Sequence, residues 1–355
     1  MIIGNNIQTQ KPFPINTKRM LQSHTFVNAI TGSGKTGLIL KIIESVQSTE
    51  FKQQFGQIPI IISDDQGEFL NVPKMYDDFI LFENRGRYAE VFNLDNAKSV
   101  GEVARKDLVS MVIKLSDFAS KEERERFLEL FMEGYREQDR KYWNPALFII
   151  DEADIYVPTT SKKKNSYSRE AIIDACKRSR KENISIILAT QSASSVHIDA
   201  RRECTNRFVG NSVELSDRRI ASQMLGEPSL VDKLWGLRVG QFYVRGEALC
   251  DVTTLIQVDR PMIKTPEVGV EQVNDHKDSV IEQYVVNRIE GDKRSLIQTY
   301  EDKIRKLEDE IKVLKTNQWT NEKQIMAYNE GKYDGRVQTI DEQKHRSFVN
   351  RVLNR

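Results

Sequence analysis

The stretch His24–Val46, HTFVNAITGSGKTGLILKIIESV, decides the fold. Its opening, HTFVN, is an apolar run of strand length, and its close, GLILKIIESV, repeats apolar residues at helical spacing. Between them lies AITGSGKT, Ala29 to Thr36. A glycine-rich turn from strand to helix offers backbone N–H groups and the positive helix end to an anion. In this spacing Thr31, Gly32, Ser33 and Gly34 supply the loop, Lys35 reaches the β and γ phosphates, and the Thr36 hydroxyl ligates Mg²⁺. ATP with Mg²⁺ is the implied ligand. Ala29 stands where such loops have their first glycine, which is tolerable if φ stays negative there.

Outward from this loop, the runs PIIIS, FILFE, ALFIID, SIILATQ, RFVGN and QFYVRG read as further strands. Helical spacing marks Lys35 to Ser48, Val103 to Leu115, Lys121 to Arg136 and Arg169 to Lys181. Strands alternating with helices predict an α/β fold with a mainly parallel sheet whose strand ends bind the ligand along one edge. The pattern stops near Pro261. From Ile297, the residues Ile297, Tyr300, Ile304, Leu307, Ile311 and Leu314 recur at spacings of three and four, a short heptad helix that either lies on its own domain or pairs with another subunit. The expected organisation is a core over 1–260, a connecting segment over 261–290 and a helical, partly coiled-coil extension over 291–355.

Two strand ends carry candidate chemistry. ALFIIDEAD places Asp151 and Glu152 after an apolar strand, where one carboxylate holds the metal through water and the other polarises the attacking water. Acidic pairs after apolar runs are common; the phosphate loop upstream singles this one out, with Asp151 assigned to the metal and Glu152 to catalysis. SIILATQ ends in Gln191, placed to sense the γ-phosphate or orient water. Upstream, Arg178 and Arg180 are candidate arginine fingers, or simply cations at a helix C-terminus.

The chain has 53 Lys plus Arg against 52 Asp plus Glu in 355 residues, a net charge of +1. That excludes a polycation that coats nucleic acid along its whole length. Within Lys162 to Arg219, however, 13 basic residues face 7 acidic ones, and Lys162, Lys163 and Lys164 form either a solvated surface loop or a run that contacts DNA phosphates. No apolar run is long enough for a bilayer, no secretion signal opens the chain, and three scattered cysteines suggest no disulfide framework. The expectation is a cytoplasmic protein of a cell or virus-infected cell, without membrane insertion.

Taken in order, these motifs resemble the HerA/FtsK superfamily of P-loop ATPases. HTFVNAITGSGKT is close to that branch's strand and loop, and DDQGEF, Asp64 to Phe69, is similar to its D-P-x-G-E-Y motif with Asp65 in place of the proline. IIDEAD and SRKENISIILATQSAS follow, the latter resembling GRKxGVxLxLATQxP except at Ser192 to Ser194. The resemblance covers roughly Met20 to Asp259. It implies a RecA-like core, Gln191 as sensor, Arg180 as a finger acting on the neighbouring subunit's ATP, and Asp64 and Glu68 as an accessory acidic motif near the nucleotide, which either takes part in catalysis or orders the strand-end turn. It also implies a homo-oligomeric ring, a hexamer, that translocates double-stranded DNA as a HerA-like helicase or a viral genome-packaging motor. Some 20 residues precede the core, too few for the N-terminal β-barrel of HerA proteins. An alternative is a nucleotide-gated assembly factor that recruits a nuclease or other effector through its C-terminal helix.

Overall fold

Among the residues described by the computed structural model, 1–84, 91–159, 166–266 and 280–329, eleven strands form one sheet. They are β1 (Ile2–Asn6), β2 (Pro12–Pro14), β3 (His24–Asn28), β4 (Ile60–Asp64), β5 (Phe79–Phe82), β6 (Ser110–Lys114), β7 (Ala146–Ile150), β8 (Ile184–Thr190), β9 (Cys204–Val209), β10 (Gln241–Gly246) and β11 (Cys250–Val258). The helices are α1 (Thr17–Met20), α2 (Lys35–Gln47), α3 (Thr49–Phe55), α4 (Val72–Met75), α5 (Ala97–Lys106), α6 (Lys121–Arg136), α7 (Ala153–Tyr156), α8 (Tyr167–Arg178), α9 (Ile198–Glu203), α10 (Leu215–Met224) and α11 (Val280–Asn329). The sheet order is β2-β1-β11-β10-β9-β3-β8-β7-β4-β6-β5. From β9 to β5 every pairing is parallel, and from β9 outward to β2 every pairing is antiparallel. The expected α/β class with a mainly parallel sheet is what the chain adopts.

The reason lies in the alternation of side chains across a pleated sheet. Phe148 and Ile150 of β7 enter the apolar layer built with α5, α6 and α8, whereas Leu147 and Ile149 enter the layer built with α2 and α3. Strands buried on both faces need apolar residues at every position, which is why the central ones read as continuous runs. At the β5 edge, Glu282 of α11 accepts the Leu81 N–H at 3.4 Å, and Val285, Val286 and Ile289 bury into the same layer as α5 and α6. An edge strand that would otherwise offer unpaired backbone groups is thereby covered.

One expectation is overturned. Val103 to Leu115 is not one helix: α5 ends at Lys106, Leu108 takes φ of 55°, and Ser110–Lys114 is β6, inserted between β4 and β5. Met111, Val112 and Ile113 are fully buried, so two-faced burial overrides the helical spacing. Strands β1, β2 and β11 were not expected either. β11 carries polar residues on a half-exposed face, which breaks the apolar run that marks the central strands.

The chain divides into two compact units, Met1–Glu290 and Gly291–Arg355. Of the second, the described part is the continuation of α11, whose residues 301–314 are all exposed. No helix among the described residues is long and apolar enough to cross a membrane.

Candidate active site

Register places the site. Parallel pairing sets Asn28 of β3 beside Thr190 of β8, Ile150 of β7 beside Leu188, and Ser63 of β4 beside Ile150. The residues that leave these four strands, Ala29, Gln191, Asp151 and the Asp64 turn, therefore emerge along one edge of the sheet.

The loop Ala29–Thr36 connects β3 to α2. Gly32 and Gly34 have φ of 76° and 98°, a region that side-chain-bearing residues avoid. At Gly34 space forbids a side chain as well, since a Cβ would lie 2.9 Å from the Gly240 nitrogen. Ala29 is not among the positive-φ residues, so its methyl carries no backbone strain. Room for that methyl comes from Gly210, where a Cβ would come within 2.9 Å of it. Gly240 N–H donates to Ser33 O at 2.9 Å and braces the loop from the far side.

Lys35, at the start of α2, is buried and points at the tip of β7. Its ammonium lies 2.9 Å from Glu152 Oε1 and 3.0 Å from Asp151 Oδ1. Burial acts to lower the Lys35 pKa, but the attraction of Asp151 and Glu152 outweighs it and holds the amine protonated above its ordinary value. Burial pushes the Asp151 carboxyl up to about 7, with Lys35 pulling against it and Glu152 and Glu68 adding repulsion. Glu152 sits at φ 48°, ψ 50°, a left-handed conformation that costs a non-glycine residue about 1–3 kcal/mol. Its Oε1 accepts from Lys35 at 2.9 Å, Gln191 Nε2 at 2.8 Å and Gln66 Nε2 at 3.1 Å. Among the described residues, no hydrogen bond reaches Oε2.

The remaining residues close around this centre. Gln191 Oε1 accepts the Thr31 hydroxyl at 2.7 Å, linking the β8 tip to the phosphate loop. The Thr36 hydroxyl donates to Glu68 Oε2. Asp64 accepts the N–H groups of Gly67, Glu68 and Phe69 at 2.7, 3.0 and 2.9 Å, which folds the turn that carries Gln66 and Glu68. Burial still raises the Asp64 carboxyl to about 6 against those three donors. Asp64 thus organises the turn, and Glu68 faces Thr36.

A divalent ion fits this set. The donors are oxygens only, two or three carboxylates stand beside a place built for phosphates, and buried Asp151 Oδ2 lacks a hydrogen-bond partner while Oδ1 meets the Lys35 ammonium at 3.0 Å. Among the described residues no group of three or more His, Cys, Asp or Glu forms a closed metal cage. Mg²⁺ needs none, because it keeps waters and takes one or two protein ligands together with substrate phosphates.

Arg180 lies elsewhere. It precedes β8 in a short turn, exposed, with Nη2 3.3 Å from Thr205 Oγ1 just inside β9. Gln191 follows the other end of the same strand, so the seven residues of β8 set Arg180 about 20 Å from its own chain's phosphate loop. Arg178 is paired with Asp174 at 2.8 Å. Of the basic stretch, Lys177 is also paired, with Asp199 at 2.7 Å. Lys162, Lys163 and Lys164 lie outside the described residues.

Sequence reasoning missed two contributors. Gln66 is inside the quoted acidic motif, and a polar residue on a strand-end turn was the available signal. Asp65 is the residue that replaces the proline: its Oδ1 accepts Tyr156 Oη at 2.5 Å and Arg124 Nη1 at 2.9 Å, tying the turn to α7 and α6. Asp65→Ala would leave that hydroxyl and guanidinium without their acceptor, so urea unfolding should show a loss of about 1–3 kcal/mol. A loss below about 0.5 kcal/mol would mean that water replaces the carboxylate. The Ser192 to Ser194 departure has a partner too, since Ser192 Oγ and Ser194 N–H both donate to Asp217 of α10, at 3.0 and 2.7 Å.

Comparison with known proteins bears on this arrangement. A family model described as the central domain of helicase HerA matches residues 1–208. Among solved structures, VirB4 of Thermoanaerobacter pseudethanolicus is similar at 13% identity and a TM-score of 0.50, covering 73% of this chain and 96% of that one. The genome packaging NTPase B204 of Sulfolobus turreted icosahedral virus 2, in complex with ATP-gammaS, is 14% identical at a TM-score of 0.45, covering 67% and 98%. The cytoplasmic domain of the Thermomonospora curvata Type VII secretion ATPase EccC is 14% identical at a TM-score of 0.45, covering 73% and 26%. Comparison with curated proteins gives no match.

Proposed function

Because the chain belongs to the family of the HerA central domain, within the HerA/FtsK-type P-loop ATPases, we propose that it is an Mg²⁺-dependent ATPase. We propose further that it assembles as a ring, six subunits on the family pattern, and moves double-stranded DNA. The observation that carries the ATPase reading is the placement of Lys35 between Asp151 and Glu152, with Gln191 and Gln66 fixing the same Glu152 oxygen.

Entry of the γ-phosphate draws Lys35 away from the two carboxylates, as its ammonium exchanges one anionic partner for another. Backbone N–H groups of Thr31 to Thr36 bind the phosphate oxygens. Thr36 and Asp151 would hold Mg²⁺, whose chemistry there is neutralisation of phosphate charge. Anchored through Oε1, Glu152 presents Oε2 to the attacking water and takes its proton as the water oxygen bonds to the γ-phosphorus and ADP leaves. Gln191, bridging Thr31 and Glu152, aligns that water. Arg180 acts on the next subunit's nucleotide, because its own chain's loop is at the other edge of the sheet.

For the DNA substrate, support comes from the family and from the net basic stretch that includes exposed Arg180, Lys181, Arg202 and Arg219. The test is the ATPase rate without DNA, with single-stranded DNA and with duplex DNA at moderate salt. The expected result is a stimulation of about tenfold or more by duplex that fades as salt rises. Equal rates in all three would sink the DNA motor and favour the effector-recruiting alternative.

A further inference from the structure

Helix α11 continues well beyond the residues that bury into the core, and its outer part exposes an apolar stripe. Ile304, Leu307, Ile311 and Leu314 are 55%, 50%, 50% and 63% exposed. Their spacing of three, four and three puts Ile304 and Ile311 at position a and Leu307 and Leu314 at position d of a heptad. Ile297 and Tyr300 occupy the preceding a and d positions in the same register. A lone helix gains nothing from such a stripe, whereas a partner that covers it removes this apolar surface from water.

We propose that this stripe pairs with the same segment of a second copy of the chain, as a parallel, in-register, two-stranded coiled coil. Two features select this occupant. The first is the choice of core residues: β-branched Ile at a with Leu at d favours two parallel strands over three or four. The second is the flanking charge. In a parallel pair, position g of one helix faces position e of the other five residues further along. Lys303 at g then faces Glu308 at e. Two-fold symmetry repeats this pair, so both Lys303–Glu308 contacts are between opposite charges. An antiparallel pair brings e against e, and one centred on Glu308 sets two glutamates face to face. The pairing uses none of the groups at the nucleotide site and holds whether or not the core hydrolyses ATP.

The test places a reporter on the seam of the full-length chain. In a parallel, in-register pair, each d position faces itself. Leu307→Cys chains should therefore form a covalent dimer, and no larger species, under mild oxidation. Cys176 and Cys204 are buried and Cys250 is partly exposed, so Cys250→Ser is made in every chain and the Cys250→Ser chain without Leu307→Cys is the blank. On the Leu307→Cys background Lys303→Glu sets Glu against Glu308, and Glu308→Lys sets Lys against Lys303; each alone should lower the dimer yield about tenfold at low salt. Mixing the two reversed chains restores opposite charge at both Lys303–Glu308 contacts, and the yield should return as a mixed dimer. Charge reversals that leave the yield unchanged, or mixing that fails to restore it, would overturn the pairing. A reporter that never crosslinks would overturn it too and assign the stripe to a different protein. These side chains are exposed, so the variants do not threaten the fold of the core.

Discussion

Replacing Glu152 by Gln should leave a chain that still binds ATP but hydrolyses it about a thousandfold more slowly, the order expected for loss of a positioned general base. The geometry separates the two effects. A Gln carbonyl oxygen can take the place of Oε1 and still accept from Gln191 and Gln66, so the links at the tips of β8 and β4 survive. What disappears is the carboxylate oxygen free to receive a proton. One of the two anions holding Lys35 disappears as well, so nucleotide phosphate competes for that ammonium against Asp151 alone. Affinity should therefore stay level or rise. Lys35→Ala should do the opposite, losing the phosphate partner and leaving two buried carboxylates without their cation. Equilibrium binding of a fluorescent ATP analogue together with single-turnover hydrolysis distinguishes the variants. If Glu152→Gln hydrolyses ATP within a few-fold of the native rate, another group activates the water and the proposed role is wrong.

The phosphate loop could be read from the sequence because its chemistry is local. Eight contiguous residues, a strand before them and a helix after them specify both the turn and what it holds. The acidic pair and Gln191 were legible for a related reason, since strand ends are marked by the stop of an apolar run. The structure adds which ends meet, a matter of pairing order across more than 150 residues of chain: β8 lies between β3 and β7, so Gln191 can reach both Thr31 and Glu152. Strand β6 was hidden because apolar residues on both faces of a short strand can also fit a helical period. Gln66 and Asp65 were hidden because their partners, Glu152, Arg124 and Tyr156, are distant in sequence and carry no local signature. Asp65 has a further lesson. A departure from a family motif can mark a replacement contact, here a carboxylate linking two helices where the family has a rigid proline.

Arg180 provides the prediction that bears most on assembly. Arg180 and Gln191 flank opposite ends of one extended strand, and a strand of seven residues does not shorten. No rearrangement that preserves β8 brings Arg180 to its own chain's ATP, so a finger role requires a second subunit. Ala substitution at Arg180 should lower ATPase activity about a thousandfold or more, and Lys35→Ala should do the same, each in a homogeneous assembly. Co-expressed, the two variants complement one another. Wherever an Arg180→Ala subunit, with its phosphate loop intact, meets a Lys35→Ala subunit, with its arginine intact, a complete site forms. Random head-to-tail placement makes about a quarter of the interfaces complete, so activity should recover to roughly that fraction of native. An enzyme whose sites lie within single chains cannot recover at all, because every chain in the mixture is defective. Recovery near a quarter therefore establishes sites shared between subunits, while rates no higher than those of either variant alone would remove Arg180 from the mechanism and with it the argument that hydrolysis requires a ring.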